Sequence, residues 1–84
     1  MDTSHIRKIV IQLINEEGIF IASNTEHLHL FQDVGIDSFA FINLLIKIED
    51  TFGIRFDIMQ MEDCADLAYL VKLIKQKTRE DDHD

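Results

Sequence analysis

Eighty-four residues are enough for one modest hydrophobic core without a metal or disulfide to brace it. Sixteen acidic against eight basic side chains leave a formal charge of −8, which repels nucleic-acid phosphates and suits basic partner surfaces, although solubility alone would also account for it. The lone cysteine cannot form an internal disulfide, no apolar run reaches membrane-spanning length, and Met1 to Lys8 lead into no signal-like core, so a reducing cytoplasm is the expected setting.

The first helix is expected from about Ser4 to Glu17. Thr3 or Ser4 can cap it, Ile6, Ile9, Val10, Leu13 and Ile14 recur at helical spacing, and Gly18 ends it. This is a core helix with no chemistry on it. From Ile19 to Ile36 the periodicity breaks, leaving Ile19, Phe20, Ile21, Leu28, Leu30 and Phe31 scattered along a connection unusually long for a compact domain. His27 and His29 invite a metal reading. Two ligands do not make a closed site, however, and no cysteine or carboxylate cluster joins them at ligand spacing.

The second helix organises the chain, through the stretch from Val34 to Phe52. Gly35 permits a turn, Asp37 and Ser38 are both good N-caps, and Gly53 is a plausible stop. Ser38 therefore sits at the helix mouth with its hydroxyl outward. Unpaired N–H groups and the positive end of the dipole would favour a phosphate there. At about 100° per residue, Phe41, Leu44, Leu45, Ile48 and Phe52 form one apolar stripe. Phe39, Ile42 and Ile46 form a second, about 130° away, either buried under another element or left open for a partner.

Beyond Gly53, Ile54 and Phe56 alternate with Arg55 in an extended link. Asp57 can cap a short helix over Ile58 to Met61, whose methionines read as adaptable packing. A last helix is expected from Asp63, as its cap, to about Lys77, with Cys64, Leu67, Leu70, Val71 and Ile74 on its core face. Cys64 is then a small buried apolar residue. Residues 78–84 are too charged to pack and are expected to be disordered, leaving a single domain with an ordered core over about residues 4–77.

An enzyme reading finds no support. Ser38 has no histidine in local reach, and its surroundings are not a Gly-x-Ser-x-Gly elbow. The acidic pairs Glu49-Asp50 and Glu62-Asp63 lie near helix ends, where caps and solvated surface are the default. No glycine-rich phosphate loop or calcium loop is present.

Gly35-Ile36-Asp37-Ser38-Phe39, the helix that follows, and Ile48-Glu49-Asp50-Thr51-Phe52-Gly53-Ile54 resemble the acyl carrier protein superfamily, which includes peptidyl carrier domains. Leu30-Phe31-Gln32-Asp33-Val34 resembles that family's approach to its serine. The likeness covers about Ile6 to Lys75 and is strongest from Leu30 to Ile54. It implies an all-α four-helix bundle of three long helices and one short, with a long first loop anchored by Leu28 or Leu30 together with Phe31. It implies further that a phosphopantetheinyl transferase loads Ser38 with a 4′-phosphopantetheine arm from coenzyme A, and that the chain is a carrier rather than an enzyme. Asp37 matches the family aspartate that lies beside the metal and coenzyme A during transfer. Phe39, Ile42 and Ile46 would form the docking patch, with Glu49 and Asp50 as its acidic rim. The implied partners are an acyl- or aminoacyl-loading ligase and downstream synthase enzymes, acting on a monomer that needs neither nucleic acid nor membrane.

The departures point away from housekeeping fatty-acid synthesis. Where fatty-acid carriers place carboxylates along the exposed face of this helix, the chain has Ala40 and Asn43; Lys47 adds a positive charge, and Phe39 replaces the usual leucine. These features resemble carriers of specialised pathways, for polyketides, nonribosomal peptides or modified fatty acids. The rival reading is a carrier-like scaffold that is never modified, against which the Asp37-Ser38 pair speaks.

Overall fold

A computed structural model of the chain describes residues 2–21 and 27–82. Among the described residues four helices follow one another: α1 over Thr3–Glu16, α2 over Ser38–Phe52, α3 over Ile58–Met61 and α4 over Leu67–Asp82, with a 3-10 turn at Asp63–Ala65 leading into α4. Among the described residues there is no strand, and one antiparallel bridge joins His29 to Asp66. No described helix is long and apolar enough to cross a membrane.

Helix α1 starts earlier than expected because Asp2, rather than Thr3 or Ser4, is its cap. The Asp2 carboxylate accepts the His5 N–H at 2.8 Å, and that bond holds its pKa below the ordinary value. Ile6, Val10, Ile11 and Ile14 are buried on its inner face. Helix α2 is framed as its sequence implies, with Asp37 at one end and Gly53, at φ +68°, at the other. Its buried residues are Phe41, Leu44, Leu45 and Ile48; Phe52 is half-buried. Burying side chains of this size stabilises a small domain by about 2 kcal/mol each.

The first loop is anchored by Leu30, which is fully buried, while Leu28 is half-buried and Phe31 lies at the rim with its ring centroid 5.0 Å from that of Phe41. Two backbone bonds tie this loop to the mouth of α4: Leu30 N–H donates to the Ala65 carbonyl at 2.8 Å, and Leu67 N–H to the Leu28 carbonyl at 2.9 Å. This pairing explains why α4 begins later than expected. It requires extended backbone at Asp66 (φ −82°, ψ 114°), so a helix cannot run through from Asp63. Asp66 supplies the cap instead, accepting the N–H groups of Ala68 and Tyr69.

At its other end α4 runs past Lys77. The tail expected to be disordered from residue 78 is helical as far as Asp82, and the last two residues lie outside the described ones. Charge does not exclude helix: Arg79 suits the negative end of the dipole, and the Thr78 hydroxyl donates to the Ile74 and Lys75 carbonyls. Cys64 is buried, and its thiol is pushed up to about 11 by burial first, with the charge of Asp63 adding to it.

Candidate functional site

The first loop delivers the chain to α2 through two fixed points. Gly35 turns it at φ +75°, and Ile36 is buried with its N–H on the Leu30 carbonyl at 3.0 Å. With Ile36 held inward, Asp37 and Ser38 emerge on the surface. Asp37 carries out the capping: Oδ1 accepts the Ala40 N–H at 2.7 Å, and its carbonyl accepts that of Phe41 at 2.9 Å. The Ser38 hydroxyl is thereby free of the capping task. The amides of Ser38 and Phe39 belong to the first turn, where no intrahelical carbonyl is available, and the helix dipole is positive there. An exposed hydroxyl at this place fits a phosphate ester, whose charge the helix end would stabilise.

Phe39, Ile42 and Ile46 share the side of α2 that holds Ser38, as rotation of about 100° per residue requires. They are 79%, 48% and 49% exposed, so the second stripe is open to solvent rather than covered. Ile46 is displaced about 12 Å along the axis from Ser38. Beyond it lies an open cleft of about 460 Å³, lined by Ile46, Glu49, Asp50, Gly53, Ile54 and Arg55.

The charged residues divide unequally. Asp50 is exposed, but Glu49 is half-buried, and its Oε2 accepts the Phe56 N–H at 2.9 Å. Lys47 is turned to the end of α1, its Nζ 2.7 Å from Glu17 Oε2 and 3.8 Å from Glu16 Oε1; its pKa is raised, by the Glu17 bond first. The positive charge that Lys47 adds to α2 is thus answered within the chain.

The sequence reading missed two exposed apolar residues. Ile58 and Met59 on α3 are 84% and 87% exposed, whereas Met61 packs against the core. A four-residue helix can press only one side inward, and that was the available signal. As for His27 and His29, among the described residues no three histidine, cysteine or carboxylate side chains converge as a metal site.

Residues 4–74 match the family described as "Phosphopantetheine attachment site". An acyl carrier protein of Saccharopolyspora erythraea is 30% identical over 74 residues, covering 87% of this chain and 78% of that protein. An acyl carrier protein of Thermotoga maritima is 29% identical over 69 residues, covering 81% of this chain and 85% of that one. No solved structure is significantly similar. A helical bundle with an exposed serine at the mouth of its second helix, matched along most of its length by these sequences, belongs to the acyl carrier protein superfamily: the chain is a carrier of covalent 4′-phosphopantetheine and not an enzyme.

Proposed function

We propose that Ser38 is the attachment point of the arm and that the open face of α2 is where partner enzymes dock. The observation that carries this reading is the division of labour at the helix mouth. Asp37 caps α2, Ser38 stands exposed in the first turn with its two uncapped amides, and Phe39, Ile42 and Ile46 lie exposed on the same side. When bound, the arm supplies a terminal thiol that holds an acyl or aminoacyl cargo as a thioester. The chain's own residues offer the hydroxyl, steady the ester's charge and leave one Asp37 carboxylate oxygen outside the cap, for the metal and coenzyme A at the transfer step. Carriers of this family work with phosphopantetheinyl transferases and synthase enzymes. Presenting the cargo on a tether raises its local concentration at each of them.

The pathway we favour is a specialised one, for polyketides, nonribosomal peptides or modified fatty acids, in the cytoplasm and with the chain as a monomer. Ala40 and Asn43 carry no charge, Lys47 is paired internally and Glu49 is engaged by Phe56, so the docking face has few acids to offer a strongly basic partner. Of the rim residues, Asp50 remains available. Incubation with coenzyme A, magnesium and a broad-range transferase, followed by intact mass spectrometry, should show one phosphopantetheine per chain on the wild type and none on Ser38→Ala. Addition to the alanine variant, or none to the wild type with several transferases, would refute the assignment.

A further inference from the structure

His29 opens the turn that delivers the chain to Ser38, and its ring does so in one protonation state only. Nδ1 accepts the N–H groups of Phe31 at 3.2 Å and Gln32 at 3.1 Å. It must present a lone pair to both, which leaves the ring hydrogen on Nε2. Around this cap the turn closes on itself: Asp33 Oδ2 accepts the His29 N–H, and the Asp33 N–H returns to the His29 carbonyl, both at 2.8 Å. Leu30, buried in the same turn, accepts the Ile36 N–H immediately before Asp37 and Ser38. The position of the site serine is therefore inherited from a turn whose cap is an imidazole.

Asparagine or serine in that role would offer an oxygen lone pair at every pH, but an imidazole withdraws its own on protonation. A proton on Nδ1 sets one N–H against two others. The titratable groups that line a small cleft with His29 and Leu28 are His27 and Asp33 from its own segment and Asp66 from the mouth of α4. Both carboxylates already accept backbone N–H groups, Asp33 from His29 and Asp66 from Ala68 and Tyr69. Their negative charge would favour a protonated ring turned toward them.

We infer that His29 is a positioning residue for Ser38, a turn cap that a single proton removes, so that arm attachment slows in mild acid. The functional half of this inference rests on Ser38 being the attachment point; the structural half does not. The test compares wild type with His29→Asn, whose side-chain oxygen keeps the acceptor, between about pH 8 and about pH 5. Amide hydrogen exchange by NMR reads the turn. Corrected for intrinsic exchange, protection of the Phe31, Gln32 and Ile36 amides should fall roughly fivefold in wild type at the acid end, the size of a lost cap, and stay level in His29→Asn. His27→Asn should keep the wild-type profile. Attachment by one transferase, taken as the wild-type-to-variant ratio so that the enzyme's own pH dependence cancels, should fall in parallel. Identical protection profiles in wild type and His29→Asn, or a wild-type response lost in His27→Asn, would overturn the cap. A level attachment ratio despite lost protection would overturn the link to Ser38. If neither protein is ever modified, the Ser38 assignment fails, and the exchange data still decide whether His29 is a titrating cap.

Discussion

Glu49, on α2, accepts the backbone N–H of Phe56 at 2.9 Å and so fixes the extended link that follows Gly53. Phe56 and Ile54, either side of exposed Arg55, are both buried as a result. Glu49 therefore acts first on the fold. Glu49→Ala should cost about 1–2 kcal/mol in urea denaturation, while Glu49→Gln, which keeps an acceptor oxygen, should recover most of it. Arm attachment to Glu49→Gln should proceed at close to the wild-type rate. A large loss of attachment with unchanged stability would instead place Glu49 in the docking rim.

The two sides of α2 should separate in mutagenesis. Leu45→Ala or Ile48→Ala empties a fully packed site and should cost about 2–5 kcal/mol, a large share of a small domain's stability. Ile42→Ala or Ile46→Ala should cost about 1 kcal/mol or less, since half of each side chain already meets water. The latter pair should nevertheless slow loading, because apolar anchors near the centre of an interface dominate binding. If all four variants melt alike, the open face is structural and the docking assignment is wrong.

Capping and attachment should separate in the same way, between adjacent residues. Asp37→Ala removes the acceptor of the Ala40 N–H and should destabilise the protein by about 1 kcal/mol, with Asp37→Asn largely restoring it. Ser38→Ala should melt within a degree or two of wild type yet accept no arm. Thermal denaturation beside mass spectrometry checks both, and a collapsed Ser38→Ala variant would show Ser38 to be structural.

Asp2 gives a signed pH dependence. Its folded pKa is depressed below 3.8, chiefly by the His5 N–H, so its stabilising effect is present above the unfolded carboxyl range and is lost as pH falls through the folded value. Asp2→Asn, which can cap without ionising, should flatten the acid limb of the stability profile. The side chain is fully exposed, so the difference should be small. An acid limb steeper in the variant would contradict the cap.

Most of the fold was legible because its signals are local. The cap and stop of α2 and the core stripe of Phe41, Leu44, Leu45 and Ile48 follow from spacing and residue type alone. The mouth of α4 was not, because Asp66 is held extended by partners at Leu28 and Leu30, far away in sequence, and nothing near Asp63 announces them. At the candidate site, Asp37 and Ser38 could be placed from the turn before them. The fates of Lys47 and Glu49 could not, since Glu17 and the Phe56 N–H are brought to them by folding. Met59 was misread for a related reason: methionine suits a core and a contact surface equally, and only the packing of α3 decides between them.

The burial of Cys64 bears on the safety of the cargo. A thioester passes readily to any accessible thiolate, and a carrier with a second reactive thiol would lose its load to its own side chain. With the Cys64 thiol raised to about 11, roughly one in ten thousand is ionised at neutral pH, and the core shields even that fraction. The arm is left as the sole accessible thiol on the folded chain, and a loaded Cys64→Ser variant should keep its cargo no longer than wild type does. Once the chain unfolds, that protection ends. Cargo retention and folding are thus expected to be lost together, through a residue of the 3-10 turn that leads into α4.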